Sequence, residues 1–226
     1  MLGSSLLVLL VEGDGIDATR SIVPYLNDQG CETRLVADPV STLAAVQELW
    51  PDVVIVNLLG GAADPAEVCA ALDRSSLELP RLVVYESGPI PAVRAHAYLE
   101  QPVTPRRLSN RVKKALGTQV GRFVRGGDVC VDLLRRNVKC ANGVAHLTPK
   151  ETALLAHLMR HPGRVVSRVE IMHEVWETDY TGDMRTVEVH IRWLRRKIEP
   201  DPKHPRRIVT VRRHGYVFWP HQQGGE

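Results

Sequence analysis

Residues 184–198 read Met184-Arg-Thr-Val-Glu-Val-His-Ile-Arg-Trp-Leu-Arg-Arg-Lys-Ile198, a spacing that predicts a helix with two incompatible faces. At about 100° per residue, Val187, Ile191, Leu194 and Ile198 fall in one narrow apolar stripe, while Arg185, Val189, Arg192, Trp193 and Arg196 project from the opposite side. A solvated charged face is the ordinary explanation of an arginine run. Such a face, however, rarely holds an indole and a valine among its charges, and this one has almost no carboxylate. A clustered basic stripe on one element is the electrostatic footprint of a nucleic-acid contact surface.

Downstream of the loop Pro200-Asp-Pro-Lys-His-Pro205 come two short runs, Arg207-Ile-Val-Thr-Val-Arg212 and Tyr216-Val-Phe-Trp219. They are separated by Arg213-His214-Gly215 and predict a hairpin with a basic tip; a Lys/Arg-edged hairpin guarding against aggregation has the same pattern. Upstream, Thr148-Pro-Lys-Glu151 is a capping box with proline in the first turn, followed by Leu154, Leu155, Leu158 and Met159 and ended by Pro162-Gly163. Ser167-Arg-Val-Glu170 repeats the device, with Ile171, Met172, Val175 and Trp176 as its buried side. Before these helices lie strand-like segments at Val129-Cys-Val131, Asn137-Val-Lys139 and Val144-Ala-His146, with turns at Arg135-Arg136-Asn137 and Ala141-Asn142-Gly143.

From about residue 123 to 219 the chain resembles the winged-helix effector domain of the OmpR/PhoB-type response regulators. The stretch LTPKETALLAHLMRHPGRVVSR is similar to its first helical segment, RTVEVHIRWLRRKI to its recognition helix and IVTVRRHGYVFW to its wing. The resemblance implies that Arg185, Thr186, Val189, His190, Arg192, Trp193, Arg195 and Arg196 meet bases or phosphates of duplex DNA, with Arg212 and Arg213 at the wing. Trp193 departs from the pattern, since close relatives often carry arginine there. The loop from Glu177 through Asp179 and Tyr180 to Asp183 corresponds to the segment this family turns toward RNA polymerase.

Charge follows the same division. Residues 1–120 hold 10 basic and 14 acidic residues, net −4, whereas 121–226 hold 19 and 12, net +7. A chain of 226 residues accommodates two domains, placed at 1–118 and 119–226 with a short linker over 117–122. The apolar run Leu6–Val11 is too short to span a bilayer, and no signal-peptide pattern is expected. Cys31, Cys69, Cys130 and Cys140 have no metal or redox spacing, which suits small core residues and a cytoplasmic setting.

The first half alternates strands (6–11, 33–37, 52–57, 81–85, 96–100) with helices (17–28, 40–50, 65–73, 105–116), which predicts a doubly wound α/β fold with a parallel sheet. It resembles the flavodoxin-like receiver domain of the same family. Receiver chemistry needs an acidic pair for Mg²⁺, a phosphoacceptor aspartate, a Ser/Thr and a lysine before proline. Here Glu12 is followed by Gly13, with Asp14 displaced by one; Asn57 stands at the acceptor position and Gln101 at the lysine position, and Tyr85 or Glu86 falls at the Ser/Thr position. An amide forms no acyl phosphate, and Glu12 with Asp14 is a poor donor set for Mg²⁺; a degenerate phosphorylation site without metal or cofactor is expected. Ser87-Gly-Pro-Ile-Pro91 interrupts the stretch where a receiver has its fourth helix, so that helix is expected to be short or absent. Tyr98 stands at the family's aromatic switch position, although a strand aromatic packed on the sheet is the simpler reading.

His157 and His161 are spaced i, i+4 without an evident third ligand, and Gly13-Asp-Gly15 and Gly60-Gly61 complete no nucleotide fingerprint. The expectation is a non-enzymatic, phosphorylation-independent transcriptional regulator that binds repeated half-sites as a homodimer. Arg106, Arg107, Arg111 and Lys113 on the last helix of the first half would form the dimer surface. Two alternatives stay open: a ligand-sensing regulator with an effector at the carboxyl ends of the strands near Glu12, Asp14, Asn57 and Gln101, and an interaction partner of another regulator with weak DNA binding of its own.

Overall fold

The computed structural model describes residues 6–13, 16–17, 19–60, 64–75, 77–179 and 185–220. They belong to two compact units, Met1–Gly121 and Arg122–Glu226. The division falls one residue before the end of the expected linker, because Arg122 is a buried residue of the second unit.

The first unit is a five-stranded parallel sheet in the order β2-β1-β3-β4-β5. Its central strands β1 (Leu7–Val11), β3 (Val53–Asn57) and β4 (Arg81–Tyr85) are buried at every position. Helices cover both faces of such a sheet, so its inner strands read as continuous rather than alternating apolar runs. The edges are β2 (Glu32–Val36) and β5 (Ala97–Glu100). Helices α2 (Pro39–Leu49), α3 (Pro65–Arg74) and α4 (Pro105–Leu116) each follow a side-chain cap, from Asp38, Asp64 and Thr104, with proline in the first turn. The helix expected over 17–28 is instead a single short α1 (Val23–Asp28). The Asp17 carboxylate takes the Thr19 N–H and hydroxyl, while its carbonyl accepts from Arg20 and Ser21, so Asp17 and residues 19–21 are spent on a turn.

Residues 86–96 contain no helix, as the Gly-Pro-rich segment there requires. The Tyr98 hydroxyl donates to the Val93 carbonyl and accepts from the Ala95 N–H at 3.2 Å, which ties β5 to the segment standing in for that helix. Tyr98 is therefore half-buried and held at its tip.

The second unit begins with an antiparallel sheet of β6 (Phe123–Gly126), β7 (Val129–Asp132), β8 (Asn137–Cys140) and β9 (Gly143–His146). Strand β6 lies just beyond the expected linker, in a stretch for which the sequence predicts no element. Three helices follow, α5 (Pro149–Met159), α6 (Arg168–Trp176) and α7 (Arg185–Ile198), with the two-residue strand β10 (Val166–Ser167) before α6. Strands β11 (Ile208–Val211) and β12 (Gly215–Phe218) form the closing hairpin, and β10 pairs with β12 to complete a three-stranded sheet. This is a winged helix. Its core gathers Val129, Val131 and Val138 with Leu154, Leu158, Ile171, Val187, Ile191 and Phe218. Among the described residues no helix is long and apolar enough to cross a membrane.

Both predicted caps form: Thr148 and Glu151 exchange bonds in a capping box on α5, and the Ser167 hydroxyl accepts the Glu170 N–H at the start of α6. Glu151 also receives the Lys197 ammonium at 2.7 and 2.8 Å, which joins α5 to α7. Burial alone would raise its pKa, but hydrogen bonds from Lys197 and Thr148 outweigh that and hold the carboxyl below its ordinary value. A depressed folded-state pKa contributes stability above the ordinary carboxylate range, and this contribution is lost as pH falls through the folded value. Acid titration of the second unit's stability should therefore be less steep in Glu151→Gln than in the parent, below about pH 5; equal slopes by urea melts at a series of pH values would refute the assignment.

Candidate nucleic-acid interface

The apolar stripe of α7 is buried at Val187, Ile191, Leu194 and Ile198. Those four anchors leave Arg185, Val189, Arg192, Trp193 and Arg196 exposed, the indole 42% so. The polarity of the helix read from its period is thus the one it adopts. Thr186 and His190 are half-buried one turn apart, and His190 Nδ1 lies 2.8 Å from the Thr186 carbonyl. The His190 ring stands edge-on between Trp176 and Trp193, 5.0 Å from each centroid, so a continuous aromatic ledge runs from α6 onto the exposed face of α7. Trp176, expected on the buried side of α6, packs against the core while half-buried and also belongs to this ledge.

Arg195 is placed differently from its neighbours. Its guanidinium donates to the Ile208 carbonyl from Nε at 2.9 Å and from Nη2 at 2.7 Å, and Nη2 also reaches the Thr210 hydroxyl at 2.8 Å. These bonds lock α7 to β11, and burial lowers the pKa of the group. A cavity of about 350 Å³ between α7 and the following loop is lined by Arg192, Arg195, Arg196, Asp201 and Lys203. Arg212 and Arg213 are exposed at the turn between β11 and β12, and Arg213 has φ 66°. The hairpin is tight just after its turn: a Cβ on Gly215 would sit 2.0 Å from the Val166 carbonyl oxygen.

Sequence reading missed two contributors. Val169, on the first turn of α6, is 56% exposed. Arg168 beside it reaches Glu188 at 3.8 Å and lies 5.2 Å from the Tyr216 ring centroid. Both had been absorbed into a capping motif, and no periodicity distinguishes them. In the loop after α6, Glu177 takes a left-handed conformation that ends the helix and Asp179 is exposed; Tyr180 and Asp183 lie outside the described residues, as does Met184. His157 faces Glu170 at 3.3 Å, and His161 Nδ1 lies 2.9 Å from the His157 carbonyl, so both histidines serve local contacts.

In the first unit, Asn57 at the end of β3 is fully buried, and Glu12 after β1 is 1% exposed. The Asn57 amide donates to Glu12 Oε2 at 2.8 Å and to the Arg20 carbonyl at 3.1 Å, and its oxygen accepts the Leu59 N–H. Glu12 Oε2 also accepts the Ile22 N–H at 3.3 Å. Arg20 crosses the same end of the sheet, donating to the Leu59 carbonyl at 3.0 Å and pairing with Glu86 at 3.2 Å. This set does not fit Mg²⁺, which needs several carboxylate or carbonyl oxygens free to converge: Glu12 Oε2 already accepts two N–H groups and the residue at the acceptor position is an amide. Gly13 is half-buried, and the Gln101 side chain makes no hydrogen bond among the described residues to either Glu12 or Asn57. Asp14 lies outside the described residues.

The profile of the family described as "Transcriptional regulatory protein, C terminal" matches residues 142–218. The chain is 34% identical over 230 residues to the sensory transduction protein RegX3 of Mycolicibacterium smegmatis, a match covering 92% of this chain and 97% of that one. It belongs to the OmpR/PhoB-type response regulators. A second relative, the DNA-binding response regulator MtrA of the same organism, is 30% identical over 227 residues, covering 94% of this chain and 96% of the other. Among solved structures, the Klebsiella pneumoniae RstA DNA-binding domain in complex with RstA box is 30% identical and matches 44% of this chain and 99% of that one, with a TM-score of 0.40. Within an OmpR/PhoB-type regulator, α7 is the recognition helix and the β11–β12 hairpin the wing.

Proposed function

We propose that this response regulator binds duplex DNA in a sequence-specific way, without phosphorylation, as a homodimer on repeated half-sites. The observation that carries the reading is the exposed face of α7, where Arg185, Arg192 and Arg196 flank Val189 and Trp193. Phosphate contacts by arginine supply salt-dependent affinity, whereas base-edge and methyl contacts supply sequence preference. Val189 and Trp193 provide the apolar surface for thymine methyl groups, and Val169 on α6 is a further exposed apolar residue. Selection from a random duplex library is expected to recover a repeated motif occupied by two protein copies, with affinity falling steeply as salt is raised. Recovery of no motif, or one copy bound per selected site, would overturn the specific-dimer reading.

For the dimer, α4 supplies the surface. Its apolar side, with Leu108, Val112 and Leu116, is consumed by its own sheet, which leaves the charged side for a partner copy. Arg106 and Lys113 are exposed there, while Arg107 and Arg111 are half-buried and Arg107 donates to the Pro102 carbonyl. The loop from Glu177 to Asp183 is the proposed contact with RNA polymerase, supported by its family position and the exposure of Asp179.

Phosphorylation independence rests on Asn57 and on the closed bond set around it. Acetyl phosphate with Mg²⁺ is expected to change neither intact mass nor DNA affinity, and Asn57→Asp alone should not restore control. A stoichiometric phosphoryl adduct on the parent protein, seen by intact mass, would refute this.

A further inference from the structure

A cavity of about 470 Å³ opens in the first unit at the amino ends of β4 and β5. This is the opposite end of the parallel sheet from Glu12 and Asn57, where the sequence had placed a candidate effector. Its volume lies within the range of small-molecule sites, roughly 300–1,000 Å³. Leu72 at the end of α3, with Leu77 and Leu79 before β4, gives it an apolar wall.

Its polar wall is not self-satisfied. Arg81, the first residue of β4, is buried; its guanidinium pairs with Asp73 at 2.7 Å and reaches the Cys69 carbonyl at 3.4 Å, but its Nε has no hydrogen-bond partner. Asp73 is thereby neutralised. The Arg81 N–H donates to His96 Nδ1 at 3.1 Å, so that nitrogen carries no proton and the neutral ring holds its hydrogen on Nε2. Burial, and then the charges of Arg81 and Arg94, depress the His96 pKa in keeping with this tautomer. Arg94 is exposed on the same wall, and no described residue hydrogen-bonds or ion-pairs with its guanidinium. Glu78, the other acid of the lining, has interactions of its own; its negative charge disfavours a multiply charged ligand and admits a singly charged one.

We propose that this cavity is an effector site for a small organic monocarboxylate, its carboxylate received by Arg94 and His96 Nε2–H and its apolar body laid against Leu72, Leu77 and Leu79. Charge-assisted bonds from a guanidinium to a carboxylate are about twice as strong as neutral ones, which gives the head group its selectivity. The wall also includes Gln119, shortly before the second unit begins at Arg122, so an occupant touches the segment that leads into the DNA-binding unit. The site neither uses nor requires the degenerate phosphorylation residues.

The test uses the full chain, ¹⁵N-labelled, titrated with benzoate and, separately, with its neutral isostere benzamide. Benzoate is expected to move the amide resonances of Leu77, Arg94 and His96 saturably, and benzamide to bind at least roughly tenfold more weakly. Arg94→Gln, which removes no bond of the fold, should weaken benzoate by a similar factor, and Arg94→Lys should restore part of the loss. Absence of saturable shifts at these amides, equal binding of benzamide, or unchanged benzoate binding by Arg94→Gln would each overturn the proposal. No DNA enters the experiment, so its failure is distinguishable from failure of the DNA-binding reading.

Discussion

Asp132→Ala is expected to destabilise the second unit by about 3–5 kcal/mol, the range for breaking one partner of a buried ion pair. The Asp132 side chain is fully buried and that of Arg122 is 2% exposed. They form a two-point bond, Nε to Oδ1 at 2.9 Å and Nη2 to Oδ2 at 2.5 Å. Asp132 Oδ1 also accepts the N–H groups of Leu134 and Arg135, which shapes the turn from β7 into β8. Alanine would take from a buried guanidinium its carboxylate partner and from two backbone donors their acceptor. A domain of this size is typically stable by only about 5–15 kcal/mol, so the loss is a large share of the total. Urea melts should show the transition of the second unit moving to much lower denaturant while that of the first stays in place. A shift equivalent to less than about 1 kcal/mol would show that the ion pair with Asp132 is not what holds this end of the unit. Replacing both residues with apolar ones of similar volume should recover much of the stability, since the desolvation of both charges then disappears.

The second large effect is on DNA. Changing Arg185, Arg192, Trp193 and Arg212 together to alanine is expected to remove sequence-specific binding, with each base-edge contact among them contributing roughly 1–3 kcal/mol. All four side chains are exposed, so the fold should be unaffected. Affinity for the selected site should drop toward that for unrelated duplex, and the dependence on salt should flatten as phosphate contacts are lost. Arg195→Ala provides a contrast. Its guanidinium is spent on Ile208 and Thr210, so it should lower stability and disturb the wing rather than relax preference at one base. Unchanged affinity and salt dependence in the fourfold variant would place the DNA surface elsewhere.

Much of this was legible beforehand, for definable reasons. The two faces of α7 follow from helical period, and the central strands β1, β3 and β4 from apolar runs that only a sheet covered on both sides can hide. Both capping motifs of the second unit are local and were correctly delimited. Local patterns failed where long-range partners decide. Residues 17–21 read as helix because their side chains permit one, yet Asp17 diverts its acceptors to a turn. Strand β6 ends at Gly126, where the sequence looks like a turn, and is stabilised by pairing with β7. The resemblance places Arg195 among the DNA-contacting arginines, yet neither resemblance nor charge says which way a long side chain folds back. The cavity beside Arg81 gathers residues from the end of α3, the start of β4, the segment before β5 and the chain beyond α4, and no spacing rule unites those.

The joints that hold the wing set a ruler. Strand β12 is pinned to β10 at Gly215, where no side chain fits against Val166, and β11 is clasped to the recognition helix by Arg195. The tip bearing Arg212 and Arg213 therefore stands at a set offset from Arg192 and Trp193. With the helix and the hairpin both on DNA, as proposed, the base pairs beneath the one and those beneath the other should keep a constant phase. One base pair inserted between them rotates the second contact about a tenth of a turn away, and this hairpin has no slack with which to follow it.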